Sequence, residues 1–152
     1  MWPVPSAVGR VVVDPSTILP FVIQGDHYEL ADVALDILDV NFGDVPAIFF
    51  AEVQHVLLKA ERRQDIKVAT TETFIERLRP LVMIHGHDMP TLGTRELSRR
   101  HKLACYDTTY LELAIELGQA IATRDEKLRE AANAEGVALF PPADPADTET
   151  AP

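Results

Sequence analysis

Residues 11–17 read VVVDPST, and this short stretch decides the fold class. Three consecutive valines favour a short strand buried on both faces, because β-branched side chains pack well in a sheet. Pro15 fits the first turn of a helix, where its missing N–H costs no hydrogen bond. A buried strand that passes directly into a helix is typical of parallel α/β proteins.

The same alternation of strand and helix continues to about residue 140. Further strands are predicted at 81–84, 120–123 and 137–140, with a turn or very short strand at 41–44. Helices are predicted from about residue 26, at 46–63, 66–79 and 91–101, at 107–117 ending at Gly118, and at 124–134 opened by a capping box from Thr123 to Glu126. This order predicts an α/β fold, a three-layer α/β/α domain with a central parallel sheet over residues 1–140.

Composition limits the class of protein. The chain has 152 residues, enough for one domain with a single core, and its 47% apolar and 25% charged residues are ordinary for a globular protein. No run approaches the roughly 20 apolar residues of a membrane span, and the N-terminus lacks signal-peptide features, so a cytoplasmic protein without membrane partners is expected. Residues 141–152 contain four prolines, three acids and no bulky apolar side chain, which predicts a disordered acidic tail.

The net charge of −10 argues against broad, nonspecific attraction to nucleic acid, since phosphate binding draws on excess Lys and Arg. It does not exclude a nuclease, because a bound metal ion supplies positive charge within the site. Local basic clusters could hold a nucleic-acid backbone or a partner outside it, and the candidates are Arg99, Arg100 and Arg124.

Four acidic residues lie against apolar sequence, where a solvated charge has little reason to be. Asp14 and Asp125 follow predicted strands, Asp107 follows the apolar run at 103–106, and Glu52 lies within the apolar stripe of a predicted helix. Parallel strands end at one rim of a sheet, where ligands usually bind. Carboxylates gathered there repel by about 4 kcal/mol per pair at 4 Å and an effective dielectric of 20. A hard divalent cation removes that cost, so the pattern predicts a metal site.

A simpler interpretation stands beside the metal site. Asp14, Asp107 and Asp125 all fall near predicted helix starts, where an acid caps free N–H groups and complements the helix dipole. Capping does not account for Glu52, because a lone carboxylate in an apolar stripe is costly to bury.

Other sites have weaker support. His85, His87 and Asp88 are spaced like metallohydrolase ligands, yet a further His that would complete such a site is lacking, and a solvated loop is favoured. A phosphatase of the HAD type needs an acid where Ser16 stands, and a receiver domain needs a Lys after the last strand, where prolines stand. Glycine-rich phosphate loops are absent from the sequence. The lone Cys105 is given no catalytic role.

Four segments together resemble a known family, the PIN-domain ribonucleases, and most closely the VapC toxins of bacterial type II toxin–antitoxin pairs. The segments are Val13–Ser16, Pro46–Val53, Tyr106–Ala114 and Thr123–Leu128. The resemblance implies that the metal is Mg²⁺ or Mn²⁺ and that its ligands are Asp14, Glu52, Asp107 and Asp125. Ser16 and Thr123 match the family's hydroxyl positions. Pro15 and Thr108 depart from its usual small residues.

The resemblance also implies a function. It implies a Mg²⁺-dependent endoribonuclease toxin that cleaves structured RNA such as tRNA or rRNA, forms a homodimer, and is inhibited by a VapB-type antitoxin that plugs the acidic cleft, often with an Arg. Asp107 or Glu52 could accept a proton from the attacking water, and the sequence does not choose between them. The alternative is a catalytically silent PIN-like module whose acids cap helices or dock a basic partner.

Overall fold

A four-stranded parallel sheet forms the centre of the molecule. The computed structural model describes residues 9–23, 43–86 and 91–140. In spatial order the strands are β3, β2, β1 and β4, and every pairing is parallel. Their bounds are Val11–Val13 for β1, Gly43–Pro46 for β2, Val82–His85 for β3 and Ile121–Ala122 for β4. The predicted parallel sheet is confirmed.

Helices connect these strands. A 3₁₀ turn at Pro15–Thr17 follows β1 directly, and another at Arg79–Leu81 precedes β3. The α-helices in the described ranges are α1 at Leu19–Ile23, α2 at Phe49–Arg62, α3 at Val68–Leu78, α4 at Leu92–His101, α5 at Cys105–Leu117 and α6 at Glu126–Ala134. Gly118 ends α5 in the left-handed conformation, as predicted.

The core lies on both faces of the sheet. Val12 and Val13 point to opposite faces, and both are almost wholly buried, so packed side chains cover each face. Helix α2 contributes its apolar stripe to this core, with Phe49, Val53 and Leu57 buried. Helix α5 is buried continuously from Thr108 to Ala114, which places it in the interior rather than at the surface. Each large apolar side chain buried in this way contributes about 1.5–3 kcal/mol.

Several predicted boundaries were wrong. The turn or very short strand expected before the next helix is the strand β2 at Gly43–Pro46, so that helix starts at Phe49 rather than Pro46. Helix α5 starts two residues before Asp107, at Cys105. The strand expected at 137–140 is reduced to one parallel bridge from Ile121 to Leu139.

The capping box from Thr123 to Glu126 was also wrong. Asp125 caps α6 instead, because its side chain accepts a hydrogen bond from the backbone of Leu128. The helix predicted from about residue 26, the loop at 87–90 and the tail at 141–152 lie outside the described residues. Within the ranges that are described, no helix has the length and hydropathy to cross a bilayer.

Candidate active site

Asp14 sits where β1 ends, and the chain turns there into the 3₁₀ segment. It is 6% exposed and accepts hydrogen bonds on Oδ2 from the backbone N–H of Ser16 at 3.1 Å, from the Ser16 hydroxyl, and from Thr123 Oγ1 at 3.1 Å. A buried carboxylate with three donors on one oxygen is well held. Its other oxygen, Oδ1, accepts none of these bonds.

The two predicted hydroxyl residues join the ends of β1 and β4. Ser16 Oγ and Thr123 Oγ1 lie 3.3 Å apart. Ser16 Oγ accepts from the backbone N–H of Arg124 at 2.9 Å, and Thr123 Oγ1 accepts from that of Asp125 at 3.1 Å. This network fixes Asp14 and the segment that carries Asp125 relative to each other.

Asp125 is exposed and caps α6, accepting from Leu128 N on Oδ1 at 2.9 Å. Glu52 lies in the first turn of α2, partly buried, and its Oε1 accepts from the hydroxyl of Tyr110 at 2.7 Å. In both residues, as in Asp14, the hydrogen bonds from described residues end on one carboxylate oxygen. The second oxygen of each accepts no hydrogen bond from a described residue.

Asp107 is the third residue of α5 and is partly buried. It does not cap its helix, because the N-cap position belongs to Ala104. No hydrogen bond from a described residue reaches its carboxylate, so both of its oxygens can accept. Asp14 and Asp125 therefore cap helices as the capping interpretation expects, whereas Asp107 lies in the first turn of its helix, where it complements the dipole without capping an N–H group.

Electrostatic interactions link the four carboxylates into one cluster. Burial raises the pKa of Asp14, and the charge of Asp125 raises it further despite the hydrogen bonds. Burial also raises the pKa values of Glu52 and Asp107, helped in Glu52 by Asp14 and Asp107, and in Asp107 by Asp125 and Asp14. Asp14 and Asp107 thus interact with all three other acids, whereas Glu52 and Asp125 flank them.

This donor set fits a hard divalent cation. Carboxylate and hydroxyl oxygens are the ligands that Mg²⁺ prefers, and the ion usually keeps several waters and binds through one or two carboxylates. As placed, no three Asp, Glu, His or Cys side chains in the described part of the chain are close enough to hold one ion together. Binding of one ion by three or more of these acids would therefore require their side chains to move closer together.

The sequence analysis missed a second acidic centre. Asp44 on β2 is fully buried and is paired with Arg10, at 2.9 and 2.5 Å, and with His85 Nε2 at 2.7 Å. Burial acts to raise its pKa, but hydrogen bonds from Arg10, His85 and Gln119 outweigh burial and lower it. His85 is therefore the last residue of β3 with an acid partner, not part of a solvated loop.

The predicted basic contacts differ in their surroundings. Arg124 is exposed and directly precedes Asp125. Arg100 donates to Glu135 at 2.6 Å, and Glu135 follows the last residue of α6. The nine residues of α6 separate Glu135 from Asp125, and ten steps of 1.5 Å along the helix place them about 15 Å apart. Arg99 is exposed on the same helix as Arg100.

Comparison with known proteins agrees with this geometry. A family model described as PIN domain matches residues 11–134, a stretch that includes all four acids. The chain belongs to the PIN-domain family. The α/β fold and the family resemblance of the sequence are thereby confirmed.

Two curated relatives of this PIN domain are both named ribonuclease VapC3, from Mycobacterium tuberculosis strains CDC 1551 / Oshkosh and ATCC 25618 / H37Rv. Each is 36% identical over 86 residues, which are 57% of this chain and 62% of the relative. The similarity thus spans less than two thirds of the relatives' length. The crystal structure of PAE2754 from Pyrobaculum aerophilum has a TM-score of 0.61 at 16% identity, covering 81% of this chain and 86% of that one, and it supports the fold.

The raised pKa values of this PIN domain predict a pH dependence of stability. Asp14, Glu52 and Asp107 ionise less readily when folded, so the folded state holds more protons than the unfolded state just above the unfolded pKa values of about 3.9 and 4.3. Their contribution to the free energy of unfolding is therefore largest at low pH and is lost as pH rises through the folded pKa values.

Added Mg²⁺ should offset that loss, so the rise in Tm with Mg²⁺ relative to EDTA should grow from pH 4.5 to pH 7.5. Thermal melts with and without metal measure it. A Tm increase of equal size at both pH values would show that Mg²⁺ acts elsewhere.

Proposed function

We propose that the chain is a Mg²⁺-dependent endoribonuclease of the VapC type, acting on structured RNA such as tRNA or rRNA. One observation carries the proposal: four carboxylates form one electrostatically linked cluster, and in three of them the hydrogen bonds from described residues reach only one oxygen. A helix-capping role alone would not require the four carboxylates to lie in one cluster. The 36% identity to proteins named ribonuclease VapC3 supports the choice of RNA.

The four acidic residues would have different roles in the reaction. A divalent ion, when bound, supplies polarisation of the scissile phosphodiester and a lower pKa for an attacking water. Asp14, Glu52 and Asp125 each keep one oxygen anchored, so they can present the second with little loss of side-chain entropy. Burial raises the pKa of both Asp107 and Glu52, but Tyr110 donates to Glu52 and no described residue donates to Asp107, which favours Asp107 as the group that accepts the proton.

The direct test is cleavage of RNA by the purified chain. We expect cleavage with Mg²⁺ or Mn²⁺, none with EDTA, and recovery when the metal is restored. Total tRNA and rRNA serve as substrates, and mapping of the new ends shows whether cutting is site-specific. Absence of cleavage of either RNA at any metal concentration would favour the silent binding module.

Arg124 is the basic residue best placed to hold the RNA backbone, because it is exposed beside Asp125. Arg124→Ala should raise KM several-fold with kcat unchanged, and should reduce the slope of log affinity against log salt by about 1. Arg100→Ala is the matched comparison and should have a smaller effect, since Arg100 contacts Glu135 at the end of α6 that is far from Asp125. Equal effects of the two variants would place the RNA across both ends of α6.

The antitoxin partner is proposed from the charge of the cleft. An inhibitor that fills an acidic cleft must replace the metal's positive charge, and Arg suits this because it binds carboxylates in a bidentate manner. Truncating that Arg in a VapB-type partner should restore RNA cleavage even where the two proteins still co-purify. If the truncated partner inhibited as fully as the intact one, the model in which this Arg plugs the cleft would be wrong.

A homodimer is part of the proposal, and light scattering of the purified chain tests it.

A further inference from the structure

Tyr110 is a buried polar side chain beside the candidate active site that the proposed chemistry does not use. Its side chain is fully buried in the middle of α5, and its hydroxyl donates to Glu52 Oε1 at 2.7 Å. Tyr110 follows Asp107 by three residues, so the two lie on the same side of the helix. Helix α5 thus supplies both an acid and a donor to the same cluster, and the donor reaches across to α2.

A hydroxyl at this position has a specific energetic consequence. A buried donor without an acceptor costs about 1–3 kcal/mol, whereas a Phe or Leu in the same apolar surroundings needs no acceptor. Core packing alone therefore does not require a Tyr here. The acceptor it has found is a partly buried carboxylate 58 residues earlier in the chain rather than a nearby backbone carbonyl.

We propose that Tyr110 is the positioning residue for Glu52, holding Oε1 so that Oε2 faces the divalent ion. The proposal rests on the metal-dependent function proposed above. A carboxylate in the first turn of a helix has several rotamers, and a fixed donor selects one of them before the ion arrives. Removing a hydrogen bond that orients a metal ligand typically lowers metal affinity or activity by about 10–100-fold.

The test compares two Tyr→Phe variants on the same helix. Tyr110→Phe removes the hydroxyl that contacts Glu52, and Tyr106→Phe removes a hydroxyl from a side chain that is 63% exposed. Binding of Mn²⁺ alone, measured by calorimetry or by electron paramagnetic resonance, should weaken by about 10–100-fold in Tyr110→Phe and stay unchanged in Tyr106→Phe. With RNA, the Mg²⁺ concentration for half-maximal cleavage should rise in Tyr110→Phe, while KM for RNA at saturating Mg²⁺ should not change.

A double-mutant cycle separates positioning from packing. In a Glu52→Gln background the weakened Mn²⁺ affinity should not fall further when Tyr110→Phe is added, because the group that Tyr110 holds no longer carries charge. If Tyr110→Phe alone were too unstable to assay, the double variant should regain folding, since it no longer leaves an unpaired buried charge. Failure of both to fold would assign Tyr110 to packing and overturn the proposal.

The outcomes also separate this inference from the proposed function. Wild-type protein that neither binds Mn²⁺ nor cleaves RNA would overturn the function, and the positioning role with it. Wild-type protein that does both, together with Tyr110→Phe that binds Mn²⁺ as tightly as Tyr106→Phe, would overturn the positioning role alone.

Discussion

Replacing Asp14 with Asn should reduce metal-dependent RNA cleavage by more than about 100-fold while leaving the Tm unchanged or higher. Residues that only orient metal ligands already change activity by about 10–100-fold, and Asp14 is proposed as a ligand itself. It interacts with all three other acids, so no neighbour can take its place without moving. The loss should appear mainly in kcat and in the Mg²⁺ dependence.

Stability should respond in the opposite direction from activity. The Asn side chain keeps an oxygen that can accept from Ser16 N and Thr123 Oγ1, so the cap of the 3₁₀ turn survives. Burial and the charge of Asp125 both disfavour the ionised form of Asp14, and the neutral amide removes both penalties. Because the amide keeps the cap, a pure capping role for Asp14 predicts that Asp14→Asn cleaves RNA as fast as the wild type.

The matched control is Asp65→Asn, the same change at an exposed position after α2. It should alter neither the cleavage rate nor, by more than about 0.5 kcal/mol, the free energy of unfolding. Cleavage is measured under single-turnover conditions across a Mg²⁺ series, and stability by thermal and denaturant unfolding in EDTA. Retained cleavage by Asp14→Asn at low Mg²⁺ would falsify the mechanism.

The sequence predicted the elements whose signal is local. The valines of β1 predict a buried strand, and the spacing of Phe49, Val53 and Leu57 predicts the buried face of α2. Asp14 and Asp125 could be placed at one rim because each follows an apolar strand within a few residues. Such patterns depend on periods of two or 3.6 residues, which a reader of sequence can count.

Contacts between distant segments carried no such signal. Arg10 and Asp44 are 34 residues apart, and Tyr110 and Glu52 are 58 apart, so neither pair could be recognised before the topology was known. Asp44 looked like a turn residue beside a Gly, which is the usual setting for Asp. The α6 cap was misassigned because Thr123 and Asp125 are both good capping residues, and only the structure shows that the Thr123 hydroxyl is engaged by Asp14 and Asp125 N.

Replacing Asp44 with Ala should destabilise the fold by about 3 kcal/mol and leave the cleavage rate of the folded protein nearly unchanged. Breaking a buried ion pair by removing one partner costs about 3–5 kcal/mol, whereas exposed pairs contribute about 0–1 kcal/mol. Asp44 is fully buried, but the Arg10 side chain is 44% exposed and can turn to water once its partner is gone. The loss should therefore fall at the lower end of the buried range.

The pH dependence of this loss distinguishes a charge effect from a simple cavity. Hydrogen bonds from Arg10, His85 and Gln119 lower the Asp44 pKa against the effect of burial. A carboxylate with a lowered folded pKa stabilises above its unfolded pKa of about 3.9, and that stability is lost as pH falls through the folded value. The difference in unfolding free energy between wild type and Asp44→Ala should thus shrink in acid, as measured by urea unfolding at pH 7 and near pH 3. A difference that stayed constant would mean that Asp44 acts through packing, and its contacts with Arg10, just before β1, and with His85 on β3 would then contribute little to holding the sheet that carries the acidic site.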